Sequence, residues 1–323
     1  MPSASFTWHD GSRTVRFGRD ALEGASELLG EGYVLLSTAR GLAAAPQLAE
    51  GARATHEVPP GRVDELAGDL LGSVDGGRIV ALGGGRVVDV AKALASATGG
   101  TVAAVPTTLS AAEMTAGHRR ARGAQQDTPG VRPDIVLNDP ALSASQPPEQ
   151  LAASAANALG HAIEGPCTPR SSPVPELTAG EAARLFAGDL ADRDALALGA
   201  LLSGAVIDST GYGLHHVLSQ TLVRFGGVGH GPANAAMLPH TTAALRRRAP
   251  DVLARLDAAA GIEMETLARR LAAAAGAQAL RALGVTEDTL EACVAEAVKR
   301  RDLGHIAPAA DEAEVRALYE AAW

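Results

Sequence analysis

Short apolar runs alternate with amphipathic segments through the first half of the chain. The runs are rich in Val, Leu, Ile and Ala, which is typical of strands buried on both faces of a parallel sheet. They lie at residues 33–36, 79–82, 101–105 and 134–137, and helices are predicted over 21–29, 62–71 and 87–96. Residues 15–17 are expected to form part of an edge strand. This order predicts an α/β domain with a doubly wound, mostly parallel sheet.

The pattern changes near Pro147 and Pro148, where the chain becomes rich in Ala and Leu. Apolar positions recur at helical spacing from there to the C-terminus. Helices are predicted over 151–164, 181–190, 194–218, 234–247, 252–259, 264–283, 286–300 and 312–322, with breakers such as Gly211 and Pro250 between them. We therefore predict an α/β domain at residues 1–148 and an all-helical domain at 149–323, with a site in the cleft between them.

One stretch joins an apolar strand to a helix through three consecutive glycines, Gly83, Gly84 and Gly85. Glycines let backbone N–H groups approach an anion, and the first helical turn directs unpaired donors and a positive dipole end at it. The stretch therefore indicates a phosphate-binding turn. A tight turn without a ligand is the alternative, because the spacing is not the G-x-G-x-x-G fingerprint of dinucleotide-binding folds.

Hydroxyl side chains follow two of the predicted strands. Ser37 follows the strand at 33–36, and Thr107 and Thr108 follow the strand at 101–105. Ligands of open parallel sheets bind at the carboxyl ends of the strands, so these hydroxyls are candidate ligand contacts.

Composition and net charge argue against several classes of function. The chain has 323 residues, of which 46% are hydrophobic, so a sizeable core is expected although only 3% are aromatic. A net charge of −9 argues against nucleic acid and against an anionic membrane surface as partners. Neither a signal peptide nor an apolar run long enough to cross a bilayer is visible. Cys167 and Cys293 are too few for a disulfide framework. We expect a cytoplasmic protein that acts on a small molecule.

The helical half contains a set of candidate metal ligands. Asn157 and His161 are four residues apart in a helical run, so their side chains share a face. Further imidazoles occur at His215, His216 and His230. Imidazoles gathered from separate helices are typical of a divalent-metal site, whereas the alternative for each is an ordinary core or surface histidine. Glu164 is expected to be a structural partner rather than a ligand.

Several longer motifs occur in order along the chain. They are Gly83-Gly-Gly-Arg-Val-Val-Asp-Val-Ala-Lys92, Val105-Pro-Thr-Thr-Leu-Ser-Ala-Ala-Glu-Met-Thr115, Asn157-Ala-Leu-Gly-His-Ala-Ile-Glu164, Gly213-Leu-His-His-Val-Leu-Ser-Gln220 and Gly229-His-Gly-Pro-Ala-Asn234. Together they resemble the motifs of the iron-containing alcohol dehydrogenase superfamily, and specifically its maleylacetate reductase branch. The resemblance extends over essentially the whole chain, although Asn157 stands where classical members carry Asp.

The resemblance implies a dehydroquinate synthase-like architecture, in which an NAD(P)-binding α/β domain precedes a helical domain. It implies hydride transfer from NAD(P)H to a conjugated enone or carbonyl of a small, anionic substrate, and a homodimer. The cofactor-binding positions that it suggests, together with the strand-end and phosphate candidates, are Ser37, Gly83, Gly84, Gly85, Arg86, Asp89, Thr107 and Thr108. No acidic residue follows the strand at 33–36 to hold a ribose hydroxyl, so NADH and NADPH are not separated.

The resemblance also assigns the polar residues of the helical domain. The implied metal-ligand positions are Asn157, His161, His216 and His230, and the candidate catalytic residues are His161, His216, His230 and Gln220. Maleylacetate reductases do not always need a metal, and a ligand set without a carboxylate is poorly suited to iron. Whether the protein binds zinc or iron is therefore left open by the sequence. Gln220 replaces a family histidine near the substrate, and glutamine cannot exchange a proton near neutral pH.

Two alternatives remain open at this point. The loss of a histidine at Gln220 favours a non-reductive enzyme on the same scaffold, such as a dehydratase or cyclase. A cofactor-binding protein without catalysis is the other alternative. The candidates to meet an anionic substrate are Arg86, Arg119, Arg120 and Arg122, although a charge run is more often a solvated face.

Overall fold

A twisted sheet forms the centre of the N-terminal half. The computed structural model describes residues 5–125 and 128–323. Its strands are β1 (Phe6–Asp10), β2 (Arg13–Phe17), β3 (Tyr33–Ser37), β4 (Ala52–Glu57), β5 (Arg78–Gly83), β6 (Thr101–Pro106) and β7 (Ile135–Asn138). Their order is β1-β2-β7-β6-β5-β3-β4, and neighbours run parallel except at β1 and β2. This sheet confirms the predicted α/β class.

Alternate residues of the central strands feed two separate hydrophobic cores. On one face Val34, Ile79 and Val102 pack with residues of α3 (Val63–Leu70) and α4 (Gly85–Thr98). On the other face Leu35 and Val80 pack with α1 (Ala25–Leu29) and with the segment that follows α2 (Ala39–Ala44). Because successive strand side chains point to opposite faces, a continuous apolar run supplies both cores.

The sheet differs from the sequence prediction in two ways: β1 and β4 were not predicted, and β2 does not lie at the edge of the sheet. The prediction of an edge strand at residues 15–17 is wrong, because β2 lies between β1 and β7. The edge strands are β1 and β4, which the apolar pattern does not reveal. Most side chains of β1 are exposed, and those of β4 alternate between partly buried and exposed. An edge strand needs few apolar residues, so it leaves a weak hydrophobic signal.

The second half is entirely helical in its regular elements, which confirms the predicted class. The chain divides into the compact units Met1–Gln146 and Pro147–Trp323. The helices are α5 (Pro148–Glu164), α6 (Pro173–Ala187), α7 (Arg193–Thr210), α8 (Leu214–Phe225), α9 (His230–Arg248), α10 (Pro250–Ala260), α11 (Met264–Ala274), α12 (Glu287–Ala297) and α13 (Glu312–Ala322).

The two longest helices predicted in the second half, at 194–218 and 264–283, are divided or end early, and glycines explain both differences. The run at 194–218 is divided into α7 and α8 at Gly211, whose φ of 72° is rarely adopted by other residues. The run at 264–283 ends with α11, and Gly276 just beyond it has a φ of 62°. Within the described residues no single helix is long and apolar enough to cross a membrane, and the bent pair α7–α8 meets that test by length and composition only.

A buried lysine ties the segment after β6 to α4. Lys92 has no exposed surface, and its Nζ donates to the carbonyl oxygens of Ala112, Thr115 and Gly117 at 3.0, 3.2 and 2.7 Å. The same Nζ lies 2.8 Å from Oδ1 of Asp89. A buried ammonium group needs such a full set of acceptors, so Lys92 fixes the course of this segment.

Glu113 lies in the same segment and is 1% exposed. Burial raises the pKa of its carboxyl from 4.5 to about 7, although Arg13 and Lys92 act in the opposite direction. Between these values the unfolded chain has lost the proton while the folded protein still holds it. The free energy of unfolding therefore falls as the pH rises from about 4.5 to about 7.

Replacing Glu113 by Gln should remove this pH dependence. Relative to the wild type, the free energy of unfolding of Glu113→Gln is expected to rise by roughly 3 kcal/mol between pH 4 and pH 8. Denaturant unfolding at several pH values measures this, with the exposed Glu31→Gln as a control that should follow the wild type. Parallel pH profiles for Glu113→Gln and the wild type would show that Glu113 ionises normally.

Candidate active site

The glycine turn packs tightly against the segment that follows β6. Gly83 ends β5, Gly84 precedes the first residue of α4, and the carbonyl of Gly83 accepts from the backbone N–H of Thr107 at 3.0 Å. A Cβ on Gly84 would lie 2.9 Å from Cγ2 of Thr108. The glycines are therefore needed for packing as well as for the approach of a ligand. The first N–H groups of α4 have no acceptor within the helix, so the turn suits an anionic group.

The other side chains predicted to contact the cofactor differ in whether they already have hydrogen-bond or ion-pair partners within the protein. The hydroxyl of Ser37 donates to the carbonyl of Leu82 at 2.9 Å, and Asp89 is paired with Lys92. Nε of Arg86 is buried and has no hydrogen-bond partner among the described residues. Arg86 is therefore the side chain at this turn with an unused donor, and the cofactor roles of Ser37 and Asp89 stay predictions.

The arginines after the glycine turn have partners on α3. Nη1 of Arg119 lies 3.7 Å from Oδ1 of Asp64, and Nη2 of Arg122 lies 2.7 Å from Oδ1 of Asp69. These pairs are partly or largely exposed, so they contribute little to stability. They tie the segment to α3 and give no indication of an anionic substrate.

In the helical unit, α5 and α8 bring three imidazoles together. The rings of His161 and His216 are stacked, with centroids 4.4 Å apart and planes inclined by 20°. The ring of His215 meets that of His216 edge-on at 4.9 Å. A Cβ on Gly160 would lie 2.6 Å from Cδ2 of His215, so the absence of a side chain there allows α8 to approach α5. His230 is exposed at the start of α9.

His215 has a structural role. The amide nitrogen of Asn234 donates to the carbonyl of His230 at 2.8 Å, so its oxygen faces Nε2 of His215 at 3.1 Å. Nε2 must then carry the hydrogen, and Nδ1 accepts from the hydroxyl of Thr241 at 2.8 Å. Burial holds the pKa of His215 well below its ordinary value, so the ring is neutral. Both nitrogens are used, and His215 locks α8 to α9.

The carboxylate of Glu164 orients His216. Glu164 has no exposed surface; its Oε1 accepts from the backbone N–H of His215 at 2.6 Å and its Oε2 from Nδ1 of His216 at 2.7 Å. Its negative charge thus lies at the N-terminus of α8, where the helix dipole favours an anion. Because Nδ1 of His216 is the donor in this pair, Nε2 is left as a lone-pair acceptor when the ring is neutral.

Three polar atoms of this cluster are buried without a hydrogen-bond partner among the described residues. They are Oδ1 of Asn157, Nδ1 of His161 and Nε2 of His216. Buried polar groups are nearly always satisfied, so these atoms indicate a place for a ligand, a water or an ion. Burial, together with the neighbouring imidazoles, holds the pKa of His161 well below its ordinary value, so His161 is neutral.

The donor set does not fit a tightly held iron ion. No group of three or more His, Cys, Asp or Glu side chains in residues 5–125 and 128–323 has the arrangement that a metal ion needs. The lone pairs of His161 and His216 lie in nearly parallel planes because the rings are stacked, so they do not converge. Asn157 supplies an amide where a carboxylate would offset the charge of the ion.

Gln220 takes part in a network that the sequence analysis missed. Its Oε1 accepts from Nη2 of Arg300 at 3.2 Å, and the same nitrogen lies 3.1 Å from the hydroxyl of Tyr212. The Tyr212 ring is in turn 6.0 Å from the ring of His216. Gln220 and Arg300 are 80 positions apart, so no local sequence pattern indicated their contact.

Comparison with known proteins identifies the family. Residues 151–323 match the model of the Fe-containing alcohol dehydrogenase family, C-terminal, and residues 49–147 match an iron-containing alcohol dehydrogenase model. The chain belongs to this family. It is therefore an oxidoreductase, and its similarity to the relatives below places it in the maleylacetate reductase branch.

The relatives are reductases from several bacteria. Maleylacetate reductase 1 of Rhodococcus opacus is 31% identical over 82% of this chain and 78% of its own length. Maleylacetate reductase 2 of Cupriavidus pinatubonensis is 36% identical over 64% of this chain, and the match spans only 61% of that relative. The crystal structure of maleylacetate reductase from Rhizobium sp. strain MTP-10005 aligns with a TM-score of 0.82 and 26% identity, covering 99% of this chain and 98% of that chain.

Replacing Glu164 by Gln should change the hydrogen position on His216. The introduced side-chain amide would donate to Nδ1, so the hydrogen would move to Nε2 and the atom that faces the cluster would become a donor. Nitrogen chemical shifts of the imidazole measure this change, and loss of the buried charge should lower the free energy of unfolding by roughly 1–3 kcal/mol. Glu149→Gln, at an exposed position of α5, is the control and should alter neither property. An unchanged tautomer in Glu164→Gln would contradict the assigned orientation.

Proposed function

We propose that the protein reduces a C=C bond conjugated with a ketone in a small dicarboxylate, using NADH or NADPH. Maleylacetate, named in the relatives, is the first substrate to test. The observation that carries the proposal is the stacked pair His161–His216 with its unsatisfied buried nitrogens. An imidazole nitrogen that carries a hydrogen can donate to a ketone oxygen and stabilise the negative charge that develops on it.

The glycine turn is the proposed cofactor site. The start of α4 and the unused Nε of Arg86 suit a pyrophosphate, whose negative charge both would stabilise. When bound, the nicotinamide would supply the hydride, which carries the electron pair that the reduction requires. Nothing at Ser37 favours NADH over NADPH, since its hydroxyl is already engaged with Leu82.

In the proposed reaction the hydride adds to the alkene carbon, and the electrons of the double bond move onto the ketone oxygen. The resulting enolate oxygen accepts from a ring nitrogen that carries a hydrogen, which is Nδ1 of His161 in one tautomer and Nε2 of His216 once it has taken up a proton. The Glu164 carboxylate at Nδ1 of His216 compensates positive charge on the ring if Nε2 takes up a proton. A proton from water or from the protonated imidazole of His216 then adds to the carbon next to the ketone and completes the saturated product. Gln220 does not supply this proton, because an amide does not exchange one near neutral pH.

The alternatives receive less support. A dehydratase or cyclase rests only on the replacement of a histidine by Gln220, whereas the curated relatives described above are reductases. The homodimer and the cytoplasmic location stay predictions.

Cofactor binding should depend on Gly84. In Gly84→Val the side chain would collide with Thr108 and block backbone approach to the pyrophosphate. We expect the affinity for NADH and NADPH, measured by calorimetry, to fall by more than about tenfold. Gly72→Val is the matched control, because it introduces the same side chain where nothing lies within 4 Å of the Cβ position. A wild-type protein that binds neither nucleotide would contradict the proposed cofactor site.

Metal content should depend on Asn157. We expect the purified wild type to hold well below about one iron ion per chain, with zinc as the main ion where any is present. Asn157→Asp adds the missing negative charge and should raise iron retention after incubation with Fe²⁺ and desalting. Elemental analysis of both proteins measures this. About one tightly held iron in the wild type would contradict this expectation.

A further inference from the structure

Arg300 lies beside the imidazole cluster and follows α12. Its Nη2 has three acceptors: the hydroxyl of Tyr212 at 3.1 Å, Oε1 of Gln220 at 3.2 Å and Oδ2 of Asp302 at 3.0 Å. The guanidinium carbon is 6.0 Å from the centroid of the Tyr212 ring. One edge of the guanidinium group is therefore held in place from three sides.

The opposite part of the same group is unused. Nη1 of Arg300 is buried and has no hydrogen-bond partner among the described residues. The side chain as a whole remains 20% exposed, although Nη1 itself is buried. A guanidinium group cannot lose its proton to relieve an unmet donor, and its planar fork matches the two oxygens of a carboxylate.

The position of Arg300 relates it to the imidazoles. Tyr212 lies between them, since its ring is 6.0 Å from that of His216 and its hydroxyl contacts Arg300. Gln220 follows His216 by one helical turn on the same face of α8. A short dicarboxylate with its ketone oxygen at the imidazoles would extend past Tyr212 toward the guanidinium group.

We propose that Arg300 binds a carboxylate of the substrate through Nη1 and thereby determines specificity for anionic substrates. This rests on the proposed function, because it assigns a substrate group to the same site. Gln220 is then a positioning residue, whose side-chain oxygen holds the guanidinium group in the orientation that leaves Nη1 free. Gln220, at the position where the family carries a histidine, thus has a role that requires no proton transfer.

A substitution at Asp302 should change the affinity for an anion in the direction opposite to a substitution at Arg300. Its carboxylate lies 3.0 Å from Nη2, so it offsets part of the positive charge that a substrate anion would meet. Removing that charge in Asp302→Asn should strengthen anion binding, whereas removing the guanidinium charge in Arg300→Gln should weaken it. A merely structural role for Arg300 predicts no such opposition, because both changes would loosen the same network.

The experiment measures binding of succinate, an unreactive dicarboxylate, to the full-length protein by calorimetry with and without NAD⁺. Arg300→Gln should weaken binding by roughly 10- to 100-fold, and Arg300→Lys should weaken it less because the charge remains. Asp302→Asn should tighten it. The matched control is Arg301→Gln, which removes the same charge at the adjacent exposed position and should bind as the wild type does. Thermal unfolding of each variant checks the fold.

Kinetics with maleylacetate separate this inference from the proposed function. If the protein reduces maleylacetate, Arg300→Lys should raise KM more than it lowers kcat. If it does not, Arg300-dependent binding of succinate would still support the carboxylate site while the proposed function fails. The inference is overturned if the wild type does not bind succinate, if Arg300→Gln and Arg300→Lys bind it as the wild type does, or if Arg301→Gln weakens binding as much as Arg300→Gln.

Discussion

The polar cluster of the helical unit depends on one buried carboxylate. Glu164 accepts from the N-terminus of α8 and from the imidazole of His216 at the same time. The helix dipole and the N–H donors stabilise its negative charge, which offsets the cost of burying that charge away from water. The same contacts fix where α8 begins and which nitrogen of His216 faces the cluster. The fold and the chemistry of this unit therefore share one interaction.

The α/β unit uses a buried charge of the opposite sign in a comparable way. Lys92 binds three backbone carbonyl oxygens of the segment after β6, and this segment packs against the glycine turn. The contacts that fix the turn thus come from the protein itself. The backbone N–H groups at the start of α4 and Nε of Arg86 take no part in them and remain for a ligand. Asp89 belongs to the supporting side of this arrangement, since it is paired with Lys92. A residue of the glycine motif thus supports the segment that packs against the turn through its pairing with Lys92.

The sequence predicted the features that depend on local patterns. Continuous apolar runs identified β3, β5, β6 and β7 because both faces of those strands are buried. Strands β1 and β4 escaped because exposed edge strands require few apolar residues. At the site, helical spacing and the family motifs identified Asn157, His161 and His216, which carry the unsatisfied buried atoms. The partners that give these residues their roles were not predictable, because His216 contacts Glu164 across 52 positions and Gln220 contacts Arg300 across 80.

The departures from the family pattern share an electrostatic consequence. Asn157 removes a carboxylate from the cluster, burial keeps His161 and His215 neutral, and Gln220 adds no titratable group. Arg300 carries a permanent positive charge beside this arrangement and is held by Gln220 of α8. An anionic substrate would be repelled by the buried charge of Glu164 and attracted by Arg300, so its orientation follows from the two charges together. The glutamine that removes a proton carrier from the site thus also helps to hold the group that orients the substrate.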